Sequence, residues 1–367
     1  MRVQRTFVSS ASPVTPVNGA GFAPCQGLWH HPGVPVKTAF IATHYNVDFS
    51  EHYLAPLLAS RGYGFLGWNT KYRGAEAFFR LDHALCEIAV GVRWLRDQGV
   101  ENIVLLGNSG GGSLMAAYES QAQGVTLRSV AGEGLPEALE ALPGADYYIS
   151  LNAHGGRPEV LTAWSDPSVI DERDPFAKDP ALDLFAQPLP LAPAFVARYR
   201  AAQEARNHRI TAWARHRLEA LVAAGYRDEA FLFHRAWADP RMWDSALDPS
   251  DRAAQRCYAG NPSRANFTPF NVGLTCTLRS WLAMWSLEAS DCRGAPHLGR
   301  LRVPALVLQS TADTGVFPSD AQAIYGALGS EDKALVMIPG DHYLTEPAGA
   351  REAAADHIDR WLKERGA

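Results

Sequence analysis

Ile103-Val104-Leu105-Leu106-Gly107-Asn108-Ser109-Gly110-Gly111-Gly112-Ser113-Leu114 is the stretch on which the reading of this chain turns. Four consecutive apolar residues bounded by glycine predict a short strand buried on both faces, as in a parallel sheet. Leu114, Met115 and Tyr118 then recur at helical spacing up to Gly124, so residues 107–111 have to form a tight strand-to-helix turn. Gly107-Asn108-Ser109-Gly110-Gly111 is a G-x-S-x-G sequence, whose small residues let the backbone bend sharply while the serine points outward. The following helix directs its free N–H groups and positive dipole end beneath Ser109, where an anion can form. No Gly-Lys-Ser/Thr follows, and the G-x-G-x-x-G phasing is missing, which excludes a Walker-type phosphate loop and a dinucleotide fingerprint.

The same alternation extends upstream. Residues 1–35 are short pieces broken by proline and glycine, as in an antiparallel hairpin at a sheet edge. His30-His31 within them has no companion at metal-ligand spacing and reads as an edge position. A strand over 36–43 runs into His44-Tyr45-Asn46. A helix over about 50–59 and a strand over 63–68 follow. Leu81, Leu85, Ile88, Val92 and Leu95 then mark an amphipathic helix that stops at Gly99. Strands and helices joined by short links predict right-handed crossovers and a parallel sheet.

Downstream, a strand over 147–151 ends at Asn152-Ala153-His154-Gly155-Gly156, and the texture changes. From about 157 to 298 the alternation is lost, and six of the ten tryptophans fall there, among helical patterns such as Ile210, Trp213, Ala214, Leu218 and Leu278, Trp281, Leu282, Trp285. Strands over 303–308 and 334–338 and helices over 320–328 and 351–364 then restore the pattern. The expected fold is α/β, a doubly wound, mostly parallel sheet with a mainly helical cap inserted between late strands. Residues 1–154 and 299–367 form the core and 155–298 the insertion.

At 367 residues, 47% apolar and 20% charged, the chain can bury a large core. A net charge of −5 argues against a nucleic-acid footprint or attraction to an anionic membrane. The first residues carry no apolar signal region and no run reaches the ~18 apolar residues of a membrane span. Five scattered cysteines without a C-x-x-C fit reduced thiols, and the expected location is cytoplasmic.

In an open parallel sheet ligands bind at the carboxyl ends of the strands. Those ends carry His44-Tyr45-Asn46, Ser109, His154, Asp313 and His342: a nucleophile, a carboxylate and an imidazole in the chain order Ser, Asp, His. The strand-Ser109-helix turn, the loop 310–318 around Asp313 and the loop Gly340-Asp341-His342-Tyr343 together resemble the α/β-hydrolase superfamily. The resemblance covers the sheet scaffold, and the insertion takes the place of that superfamily's variable cap.

It implies Ser109 as nucleophile, His342 as base and Asp313 as its partner acid, Asp341 being a rival. The oxyanion donors would be the N–H of Gly110 and a group from Tyr45 or Asn46, where Tyr45 departs from the usual glycine. His44, Asn108, His154 and Tyr343 are candidate substrate contacts, His154-Gly155-Gly156 reading also as a hinge into the cap. The expected activity is hydrolysis of a carboxylic ester of a small or medium apolar substrate through an acyl-enzyme, with no cofactor or metal. Carbon–carbon hydrolysis, thioester hydrolysis and acyl transfer use the same three residues, and a non-catalytic receptor on the scaffold is the alternative outside enzymes.

Overall fold

In the computed structural model, which describes residues 3–14, 24–129 and 133–367, Ile103 to Leu106 lie in the middle of the main sheet with no exposed surface. The sheet has eight strands: β1 (Gln4–Ser10), β2 (Cys25–His31), β3 (Thr38–Ala42), β4 (Gly64–Asn69), β5 (Asn102–Asn108), β6 (Tyr147–Leu151), β7 (Ala305–Ser310) and β8 (Lys333–Ile338). Their spatial order is β1-β2-β4-β3-β5-β6-β7-β8. β1 and β2 form the edge hairpin, β2 is antiparallel to β4, and the remaining pairs are parallel.

Side chains alternate across a strand, so β5 feeds two cores. Ile103 and Leu105 pack with Ile41 and Leu66 under α2 (Leu81–Asp97) and α3 (Gly111–Ala122). Val104 and Leu106 pack with Phe40 and Phe65 on the other face, under α1 (Ala55–Ser60) and the closing helix. The doubly wound arrangement is therefore present, and α3 starts where the sequence places it.

Two local expectations shift. The helix expected over 50–59 begins only at Ala55, because Phe49 N–H bonds to Asn69 Oδ1 and Ser50 N–H to Asp48 Oδ1, which hold the preceding residues in a turn. The pattern from Leu278 to Trp285 is a single α-turn over Leu278–Ser280 running into a π-turn over Trp281–Trp285, with both terminal indoles buried.

No strand between β6 and β7 joins the main sheet among the described residues; this segment is the insertion. It contains α4 (Arg157–Trp164), the 31-residue α5 (Pro193–Ala223) and two small two-stranded ribbons. The inner face of α5 carries Ile210, Ala214 and Leu218 as the periodicity predicts, while Trp213 of the same pattern is exposed, and it also carries buried Gln203, Arg206, Asn207 and Thr211. Polar groups in such places need partners. Arg206 pairs with Glu172, and Asn207 donates to Thr162 Oγ1 and to the Trp285 carbonyl. After β7 the chain closes with α6 (Pro318–Ala327), β8 and α7 (Ala350–Lys363). Among the described residues no helix is long and apolar enough to cross a membrane.

Candidate active site

Ser109 sits on the turn between β5 and α3 with φ +55°, a left-handed conformation rare for a residue with a side chain. Such strain costs about 1–3 kcal/mol and persists only where neighbours fix the backbone. Here Ser109 N–H donates to the Leu151 carbonyl at 3.1 Å, and the Ser109 carbonyl accepts from His154 N–H at 3.1 Å. The turn is tight enough that a Cβ on Gly107 would lie 2.5 Å from Gly112 Cα, and one on Gly111 would lie 2.4 Å from the Thr43 carbonyl oxygen. The small residues of the G-x-S-x-G sequence are thus a packing requirement.

At the ends of β7 and β8 the structure brings Asp313 and His342 together. His342 Nδ1 and Asp313 Oδ2 are 2.6 Å apart, and both side chains are buried. Asp313 Oδ1 accepts from the N–H groups of Gly315 and Val316 at 2.9 Å each, which orients the carboxylate. Asp341 turns away, and its carboxylate caps Thr345 in its own loop. The main chain of the His342 loop is anchored by Asn152, whose Nδ2 donates to the His342 carbonyl at 3.0 Å and to Ser310 Oγ at 2.9 Å. Asn152 thus ties the ends of β6 and β7 to the loop after β8, a role read past in the sequence; its only signal there is an Asn at a strand end, tolerant of φ +43°.

With Nδ1 engaged, Nε2 is the ring nitrogen left for a further partner. Among the described residues neither Ser109 Oγ nor His342 Nε2 has a side-chain hydrogen bond. Catalytic contacts of this kind are often long before substrate arrives. The ring of His154, whose main chain is bonded to Ser109, stands 6.4 Å from that of His342.

Tyr258, in the insertion, reaches into the same pair. Its hydroxyl donates to Asp313 Oδ1 at 3.1 Å and lies 2.8 Å from His342 Nδ1, with its ring 4.4 Å from the imidazole. Gly315 makes room for it, because a Cβ there would come within 2.3 Å of the Tyr258 ring. The edge of Trp164 meets His154, Trp237 stacks on Trp164, and both flank Tyr258, so an aromatic wall adjoins the pair. Nothing in the sequence around Tyr258 signals this position, since it comes from a segment with no strand-end logic.

The remaining candidates are placed as follows. Gly110 lies beside His44, and a Cβ on it would be 2.7 Å from His44 Nε2. His44 Nδ1 accepts from the N–H groups of Asn46 and Val47, which puts the proton of the neutral ring on Nε2. Burial and then the nearby Arg157 cation hold its pKa down to about 3. The side chain of Tyr45 is turned into the core, bonded to Ser113 Oγ, so only its main chain is available to a ligand. Asn46 is partly exposed, its N–H spent on His44 and its carbonyl on Gly74 N–H. Asn108 is buried behind the turn, donating to the Leu151 carbonyl and facing His52, which removes it from ligand contact. Tyr343 is half exposed, with its ring edge-on to His342 at 4.9 Å.

No family model matches the chain, and no curated protein does. Among solved structures, DcsB in complex with its substrate analogue is similar with a TM-score of 0.54, at 11% identity over 98% of this chain and 99% of that one. The α/β-hydrolase GrgF from Penicillium sp. sh18 gives 0.53, at 10% identity over 98% of this chain and 97% of that one. The strand order, the turn at Ser109 and these likenesses agree: the chain has the α/β-hydrolase fold.

Proposed function

We propose that the protein is a serine hydrolase acting on carboxylic esters through an acyl-enzyme. The observation that carries this reading is the Asp313–His342 hydrogen bond at the same sheet edge as a serine held in a strained turn. His342 takes the proton of Ser109 as the hydroxyl attacks the carbonyl and returns it to the leaving alcohol. Asp313 holds the imidazole with its proton on Nδ1 and stabilises the imidazolium that forms. The tetrahedral oxyanion is met by the N–H of Gly110 and by the main-chain N–H of Tyr45, at the N-terminal end of α3, each donor supplying about 3 kcal/mol. Water then repeats the sequence on the acyl-enzyme. Residues 155–298 act as the cap, and its aromatic wall favours acyl groups with apolar surface.

The test is labelling with a fluorophosphonate followed by peptide mapping, alongside turnover of simple esters. The expected result is an adduct on Ser109, lost in Ser109→Ala together with ester hydrolysis. A wild-type protein that leaves Ser109 unlabelled and hydrolyses no ester would overturn the reading.

A further inference from the structure

Arg157, the first residue of α4, is 3% exposed and lies beside the nucleophile turn. A Cβ on Gly110 would stand 2.9 Å from Arg157 Nη1, almost as close as it would stand to His44 Nε2. The guanidinium is sandwiched between the rings of Tyr45, 4.9 Å away, and Trp285, 4.6 Å away. Among the described residues only Nη2 has a carboxylate partner, Glu76 Oε1 at 2.6 Å. Nε is buried without a hydrogen bond, and Nη1 has none among the described residues.

A structural arginine of this burial would be expected to spend its fork on carboxylates or carbonyls, since an unfulfilled donor on a buried cation costs free energy. Elsewhere in the insertion Arg206 does so, with Glu172 on one edge and two carbonyls completing its set. Arg157 differs in that its unspent donor sits against Gly110, where the Nε2–H of His44 also ends. Two donors, one on a charged and one on a neutral group, both pack against the Gly110 backbone and have no acceptor among the described residues, a pairing suited to meeting a carboxylate brought to this end of the turn. The two aromatic faces hold the cation without using its hydrogen-bond donors.

We propose that Arg157 and His44 bind an anionic group of the substrate, so that the preferred substrates are esters whose acyl part ends in a carboxylate close to the scissile carbonyl. This rests on the serine-hydrolase reading and narrows its substrate class. The apolar surface of such a substrate lies along the aromatic wall and its anionic end at Arg157.

The experiment compares monomethyl succinate with methyl 4-methylpentanoate, an isosteric neutral ester, by methanol release. Wild-type protein is expected to favour the anionic ester in kcat/KM by about tenfold to a hundredfold, the size of a charge-assisted contact. Arg157→Gln should collapse that ratio to about one or below, chiefly through KM, and Arg157→Lys should retain part of it. A wild-type preference for the neutral ester, or an Arg157→Gln variant that slows both esters by one factor, overturns the proposal. The second outcome would place Arg157 at the reacting carbonyl instead.

A readout independent of turnover is protection of Ser109 from the fluorophosphonate by succinate against succinamide. Succinate should protect at about tenfold lower concentration in the wild type, and equal protection would overturn the proposal even if Arg157→Gln fails to fold. If Ser109 takes no label at all, it is the hydrolase reading that has failed. Succinate stabilising the wild-type protein against heat more than succinamide then still supports the anion seat, and equal stabilisation overturns it.

Discussion

In the sheet the buried side chains in the middle of β3, β5 and β7 are apolar, and the buried polar ones, Thr38, Asn108, Gln309 and Ser310, lie toward the strand ends; in the insertion, charges lie at the bottom of the packing. Arg235 and Asp166 are 2% and 1% exposed and joined at 2.6 Å, with Asn266 donating to the same carboxylate oxygen. Asp239 is shared between Arg200 and Arg241, and Arg241 reaches on to Asp320 at the start of α6, linking insertion to core. The sheet is specified by an alternation that any apolar residues of suitable size satisfy. The insertion depends on particular partners, because a buried charge left alone costs several kcal/mol. The proposed site lies where the two meet: the sheet supplies Ser109, Asp313 and His342, and the insertion supplies Tyr258 and Arg157.

The sharpest way to break this division is at the acid. Asp313→Asn is expected to lower kcat by about 10⁴-fold by removing the acceptor that fixes the imidazole. Asp341→Asn, which touches only its own loop, should stay within a few fold. The reverse order in steady-state rates would move the acid to the neighbouring loop.

Next comes what holds each region. Asp166→Ala strands Arg235 and should cost about 3–5 kcal/mol in urea unfolding, comparable to Leu105→Ala in the sheet at about 2–5 kcal/mol. An Asp166 variant that unfolds like wild type would show that the insertion, too, rests on apolar contacts alone.

A smaller effect should appear with pH. Burial holds His44 near 3 and His52 near 4, against an ordinary value of 6.5, so both rings are neutral in the folded protein. The unfolded chain binds the extra protons below about pH 6.5. Stability is therefore complete above that pH and falls toward pH 4, by about 1.4 kcal/mol per pH unit for each ring. His52→Gln, remote from the proposed substrate, should lose about 2 kcal/mol less than wild type between pH 7 and pH 5. An unchanged acid slope would mean that the ring titrates in the fold as it does in the unfolded chain.

The smallest effect concerns the insertion's reach into the Asp313–His342 pair. Tyr258→Phe keeps the ring on His342 and deletes the hydroxyl bonded to Asp313. A fall of about tenfold in kcat with little change in KM is expected, the size of one hydrogen bond. If KM rises instead and kcat holds, Tyr258 belongs to the substrate wall.

By itself the sequence determined the sheet, the serine turn and the strand-end positions of Asp313 and His342, because short continuous apolar runs and glycine-bounded turns are local signals of buried strands and tight bends. Tertiary structure alone decided that Asp313 and not Asp341 faces the imidazole, that Asn108 is turned behind the serine, and that Tyr258 and Arg157 arrive from the insertion. These contacts join residues far apart in the chain, and their geometry depends on how α4 and the loop around Tyr258 dock on the sheet. A residue type can announce that it needs a partner, but a buried arginine's donors acquire direction only when the packing around it is complete.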